Sequence, residues 1–273
     1  MLPHLTLACS FLLSCALFVL PMADRDRLMA GTTPAATPGS ILPADQLILR
    51  VEEGESYVVL ETVAGEALVD ESYILQDGEA VVEGLPEDVL ASYREQGFQD
   101  IYAYFTNLTA DDGESAVTIS IRVYILEDEV AAEAAVESAF DTVVELSETN
   151  PDGGQDIARL DSMPAHDEAI EGWSVTHQYA NINTGEDPFD VPGFRFVAQV
   201  GAAMASAEVY GSDDSVSVEL AEYLLMAQIA CLQADEPCQA IPFPGAIADD
   251  APPKLGRLPG ADSQRRAGKS RTP

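Results

Sequence analysis

Lysine is missing from the body of this chain. Between Asp45 and Asp250 there are 44 acidic residues against five arginines (Arg50, Arg94, Arg122, Arg159 and Arg195), a net charge of −39. A surface of that sign repels nucleic acid and anionic membranes, and it attracts cations or a basic partner. Histidine is nearly as scarce. Beyond the apolar N-terminal stretch only His166 and His177 remain, which leaves no paired imidazole or thiolate metal site. There is no G-x-S-x-G elbow, P-loop, dinucleotide fingerprint or H-E-x-x-H helix. Neither an enzyme signature nor a cofactor or metal requirement can be read from these residues.

Cysteine is equally sparse. Cys9 and Cys15 lie in the apolar stretch Leu5–Leu20, leaving Cys231 and Cys238. The stretch is too short and too poorly flanked for a membrane span and reads as a secretory signal over residues 1–23, with cleavage after Ala23. Two features depart from that pattern: no Lys or Arg precedes the apolar run, and Pro21 stands three places before the cut. The alternatives are an uncleaved anchor and a lipoprotein, the second suggested by Leu12-Leu13-Ser14-Cys15. In an exported chain Cys231 and Cys238 read as a disulfide. The wider spacing and acidic setting argue against a redox C-x-x-C pair.

Residues 24–44 are rich in Pro, Thr, Gly and Ala and read as a linker. Residues 246–273 read as a disordered basic tail, since six of the thirteen basic residues fall in the last twenty positions. Between them, residues 45–245 form one domain. Pro86-Glu87-Asp88 opens a helix that Gly97 stops. Phe98–Leu108 and Ala116–Leu126 read as a hairpin, and Asp128–Leu146 as a helix with a core face of Ala132, Ala135, Val136, Ala139, Val143 and Leu146. Glu129, Glu133, Glu137, Asp141 and Glu145 line its other face at a spacing of four. That ladder is read as a solvated face rather than a calcium site, because its carboxylates do not converge on one point. After a loop at Asn150–Gly154, strands are expected at Trp173–Ile182, Phe194–Val200 and Ala203–Tyr210, then a helix over 215–234. Residues 64–82 fit strand and helix equally.

The chain also says one thing twice. VYILEDEVAAEAA (123–135) returns as VYGSDDSVSVELA (209–221), with Ser120 and Ser206 aligned upstream. A duplicated β-β-α unit is the expectation, within an α+β fold of an antiparallel sheet carrying helices mainly on one face. The opposite, polar face would then gather Thr118, Ser120, Arg122, Ser174, Thr176, Gln178, Arg195 and Gln199. Arginine among hydroxyls and amides can grip a carboxylate or phosphate with two N–H groups, so Ser120, Arg122, Thr176, Gln178 and Arg195 are the candidate ligand-binding residues. The competing reading is an ordinary solvated sheet face. His177 and Trp173 share a strand face with Val175 and Tyr179 and read as core rather than as a catalytic base and a ligand platform.

The segments FVAQVGAAMASAEVYGSDDSVSVELAEYLLMAQIACL and YREQGFQDIYAYF followed by ISIRVYILEDEVAAEAA resemble the extracytoplasmic sensor-type domains of bacterial serine/threonine kinases and related secreted lipoproteins. The resemblance spans about Pro86 to Cys238. It implies an α+β fold of two similar halves around a cleft, outside the membrane, with a binding or sensing role and no catalysis. Mycobacterial members carry two disulfides, whereas this chain can make one. The function expected is therefore a secreted, non-enzymatic module that captures a small-molecule ligand or a basic partner. A secreted carboxylate-dependent hydrolase and an acidic envelope protein suited to high salt are the alternatives.

Overall fold

The computed structural model describes residues 42–244, apart from 62–64, 66, 84, 112, 114, 150–154, 161–169, 180–188, 212–215 and 235; for 146–149, 155, 177–179 and 189 it describes the backbone alone. The expected signal, most of the linker, the basic tail, His166 and the loops at 150–154 and 183–188 lie outside the described residues.

Nine strands form one sheet: β2 (Tyr57–Val59), β3 (Val69–Gln76), β4 (Glu79–Ala80), β5 (Phe98–Ala110), β6 (Ala116–Leu126), β7 (Gln155–Arg159), β8 (Ile170–Tyr179), β9 (Phe189–Val200) and β10 (Ala203–Gly211). Their order is β4-β3-β5-β6-β10-β9-β8-β7, with β2 also on β5, and every pairing is antiparallel. Among the described residues three α-helices join them: α1 (Glu87–Glu95), α2 (Glu129–Thr149) and α3 (Val218–Gln233). The fold is α+β. A second, two-stranded parallel sheet pairs β1 (Val51–Glu52) with β11 (Ile241–Pro242).

Strand alternation divides the long central strands between two cores. On one face, Ile119, Ile121 and Val123 of β6 and Ala205, Ala207 and Val209 of β10 pack beneath Leu220, Leu224 and Leu225 of α3. On the other, Tyr124 and Leu126 of β6, Met204 of β10 and Trp173 of β8 meet Val89 and Tyr93 of α1 and Ala132, Val136 and Ala139 of α2. Two of the three helices therefore share a face. The helices that follow the two copies of the V-Y pattern do not.

Local chemistry sets the boundaries. Pro86 caps α1, Glu87 and Asp88 occupy its positive end, and Gly97 turns the chain at φ +82°. A Cβ on Gly97 would sit 2.8 Å from the Glu127 side chain, so glycine is required there on both counts. Ser217 caps α3 by accepting a bond from the Leu220 N–H at 3.2 Å. The strands missing from the sequence reading include the edge strand β7, whose five residues, QDIAR, carry no clean alternation, and the two-residue β11.

The α3 face is closed by both ends of the described chain. Gln228, fully buried, accepts from the Leu49 N–H at 2.8 Å and donates to the Leu47 carbonyl at 2.7 Å. Tyr104 donates its hydroxyl to the Val51 carbonyl at 2.7 Å. Cys231, in the last turn of α3, is bonded to Cys238, with Cα atoms 5.2 Å apart, and the Cys238 N–H reaches the Gln46 carbonyl at 2.8 Å. From there the chain runs beside β1, and Phe243 meets the Tyr57 ring edge-on at 4.8 Å. Among the described residues no helix is long and apolar enough to cross a membrane.

Candidate functional site

The two copies of the V-Y pattern lie side by side as β6 and β10. Their register pairs Arg122 with Ser206 and Ser120 with Glu208. The sequence offset of 86 carries Ser120 to Ser206 and Arg122 to Glu208. These two relations together place the four residues about a local two-fold axis through the Ile121–Ala207 pair. All four project from the α1/α2 face, because the intervening Ile121 and Ala207 belong to the α3 core. On the next strand Arg195 pairs with Glu208, and on the strand after that Trp173 pairs with Arg195. One row across the sheet thus reads Phe105, Ser120, Glu208, Arg195, Trp173.

The polar members of this cluster are deeply enclosed. Relative exposures are 1% for Ser120, 4% for Arg122, 3% for Ser206, 6% for Glu208 and 9% for Arg195. Arg195 donates from Nη2 to Glu208 Oε2 in a buried ion pair. The Arg122 guanidinium lies over the Phe105 ring, 5.4 Å from its centroid. Ser120 Oγ has no hydrogen-bond partner among the described residues. A hydroxyl left so costs about 1–3 kcal/mol, which marks the position as one where an acceptor would be welcome.

Of the residues named from sequence, Ser120, Arg122 and Arg195 come together. Thr176 does not join them. The register sets Thr176 against Pro192 and Trp173 against Arg195, so Thr176 and the neighbouring Ser174 project from the opposite face of the sheet. The backbone of Gln178 has the same parity as Thr176, and its side chain, like that of His177, lies outside the described residues. Neither face is helix-free: α1 and α2 cover the arginine-bearing one and α3 the other. The misplacing of Thr176 has a plain cause: a shift of one residue in pairing exchanges every side chain between faces, and alternation within β8 fixes its two faces without saying which meets β9's arginine. Gln199 is on the arginine face and donates to the Glu129 carbonyl at 2.8 Å, at the start of α2.

Glu208 and Ser206 were missed as members. A signal for Glu208 exists: it is the one acid within AMASAEVYG, an otherwise apolar or small strand, and it stands where the repeat has Arg122.

Two other charged groups flank this site. At the β7 edge Arg159 bonds Glu171, lies 3.6 Å from Asp141 and covers the Phe140 ring at 4.1 Å. Phe140 in turn meets Trp173 edge-on at 5.9 Å. Burial pushes the Glu171 carboxyl up, against the pull of Arg159. On the α3 face, Tyr73 donates to Asp45 Oδ1 at 2.8 Å, and Arg50 bonds Glu71 at 2.8 Å. Among the described residues no group of three or more His, Cys, Asp or Glu is placed to hold a metal ion.

No protein-family model and no curated protein matches the sequence. Among solved structures, the chain is similar to the extracellular domain of PknH from Mycobacterium tuberculosis, at a TM-score of 0.35 and 12% identity, over 68% of this chain and 82% of that one. At that score the likeness carries no argument, and the site is interpreted from its own residues.

Proposed function

We propose that this chain is an extracytoplasmic, non-catalytic binding module that captures a small ligand at the polar cluster on the α2 face. The observation that carries the reading is the cluster itself: Ser120, Arg122, Arg195, Ser206 and Glu208 are buried on three adjacent central strands. Apolar residues of similar volume would stabilise such a position as well or better, so retaining two guanidinium groups there points to use rather than to folding. The apolar segment at Leu5–Leu20 and the Cys231–Cys238 bond support a place outside the cytoplasm.

A carboxylate-dependent hydrolase is the second reading, and Glu171 is the observation on its side, as a partly buried acid with a raised pKa. Arg159 engages it and opposes that rise, and the buried cluster contains a single carboxylate, already engaged by Arg195. Glycosidic hydrolysis needs two, one of them free to give up a proton. A basic protein partner would dock instead on the exposed acids of α2.

The test is a thermal-shift screen of the full chain against small organic acids, sugars and amines, with mass spectrometry of each stabilising compound after incubation. The reading expects a compound that raises the melting midpoint, is recovered unchanged, and has no effect on an Arg195→Met/Glu208→Leu variant. Turnover of the compound would establish the enzyme reading. A midpoint that follows ionic strength alone, with no compound effective, would leave an acidic protein suited to salt.

A further inference from the structure

We infer that β1 and β11, with the residues beside them, form a clamp loaded in shear: tension between the segments before Asp45 and after Phe243 is resisted by the whole pairing at once. The clamp does not depend on what the chain binds. Direction comes first. β1 and β11 run parallel, with Val51 beside Ile241 and Glu52 beside Pro242. The Cys238 N–H donates to the Gln46 carbonyl at 2.8 Å, the Ile241 N–H to the Arg50 carbonyl at 2.9 Å, and the Phe243 N–H to the Glu52 carbonyl at 2.9 Å. The upstream strand is therefore pulled from its Asp45 end and the downstream strand from its Phe243 end, at opposite ends of the ladder. Tension drags one strand lengthwise past the other, and the bonds between them carry the load together. Antiparallel strands pulled in the same way would be held at one shared end, and their bonds would open one after another.

Each strand is also fastened to the body of the domain. Upstream, Gln228 of α3 holds the Leu49 N–H and the Leu47 carbonyl, Tyr104 donates to the Val51 carbonyl, and Tyr73 donates to Asp45. Downstream, Cys231 ties Cys238 to the last turn of α3. Phe243 is buried against the Tyr57 ring, and its carbonyl oxygen lies 2.3 Å from where a Cβ on Gly54 would fall. A side chain at position 54 would push the downstream strand away, and glycine lets it close. The sequence of that strand fits the same role. In Ile241-Pro242-Phe243-Pro244 the two residues that have an N–H aim it at β1, and proline fills the alternate positions. The outer edge of β11 thus offers no donor to a third strand, and its pairing is committed to β1.

The experiment is single-molecule force spectroscopy on the full chain, since forced unfolding reads the rate of opening rather than the equilibrium stability. In one geometry the chain is held by its two termini. In the other the C-terminal tether is kept, and the second is moved to an azide-bearing amino acid in place of the exposed Glu55, just past β1. The same bonds are then peeled from the end nearest both tethers. At equal loading rate the rupture force between the termini is expected to be at least about twice that from position 55. Ile241→Pro removes the donor to the Arg50 carbonyl and should lower the terminal force. Equal forces in the two geometries of the parent overturn the clamp, whether or not the proline variant folds. A terminal force unchanged in a folded Ile241→Pro chain shows that the load is borne elsewhere and overturns it as well.

Discussion

The two hairpin–helix stretches begin alike and finish on opposite sides of the sheet. In the first, β6 ends at Leu126 and α2 starts at Glu129; in the second, β10 ends at Gly211 and α3 starts at Val218. The strands obey a local two-fold, and the helices break it. α2 packs on the α1 side of the sheet and α3 on the other face. Sequence composition follows the outcome. α3 is buried at Leu220, Ala221, Leu224, Leu225, Ala227, Gln228 and Ile229 and is strapped down by both ends of the described chain. α2 exposes its full acid ladder and covers a sheet surface that contains the charged cluster. One face is a dry core with a polar latch, and the other is a core with a charged centre. Shared strand sequence sets parity, and packing sets which side receives the helix.

That contrast can be broken at its strongest points. Glu208→Leu on its own removes the buried carboxylate that Arg195 bonds and should cost about 3–5 kcal/mol of unfolding free energy in urea. Adding Arg195→Met should restore most of the loss. A single variant as stable as the parent would show that the pair is solvated. On the opposite face, Gln228→Ala leaves the Leu49 N–H and the Leu47 carbonyl without their side-chain partner, at roughly 1–3 kcal/mol each. Hydrogen exchange at Leu49 should accelerate with it. An unchanged exchange rate would mean that the strap is held without the latch.

Acidity and alkalinity separate the faces in a gentler way. The Tyr73 phenol, on the α3 side, is pushed up from 10.0 to about 12, by burial first and then by Asp45. The folded chain holds that proton more tightly than the unfolded one, so its stabilisation is complete below the ordinary 10.0 and drains as pH rises toward about 12. Glu171, on the α2 side, is also raised, by burial against the opposition of Arg159. Its contribution is complete below the ordinary carboxylate value and is lost as pH rises through the folded one. Stability profiles of Tyr73→Phe and Glu171→Gln should therefore flatten at opposite ends of the pH range. Parent-like slopes in both variants would remove the distinction. The smallest effect belongs to the α2 surface. Glu133→Lys turns repulsions with Glu129 and Glu137 into attractions worth about 0.2–0.5 kcal/mol each, and molar salt should erase the gain. A gain that persists in salt would have another source.

Much of this architecture is legible in the chain. Alternation over Ala116–Leu126 gave β6 its bounds, and Pro86 and Gly97 framed α1, because these signals are local. The V-Y pattern at 123 and 209 pointed to two strands that prove to be neighbours. What stayed hidden is non-local. Nothing in β8 itself says that Trp173 rather than Ser174 meets Arg195, and so Thr176 and Gln178 were grouped with the arginines from which the register separates them. The side taken by α3 shows only in its packing against Ile119, Ile121 and Val209. Glu208 was visible as an acid in an apolar strand, but its partner Arg195 lies on another strand, and only their pairing makes the two a buried unit.

The most direct measurement is made on one variant, Arg122→Met/Arg195→Met/Glu208→Leu, in the full chain. Its urea midpoint and its response to the compounds that raise the parent's melting midpoint are compared with those of the parent. If the charged cluster serves a ligand, the apolar replacement folds with a midpoint at or above the parent's and no longer responds to those compounds. A variant that is clearly less stable, or one that still responds to them as the parent does, would contradict the account.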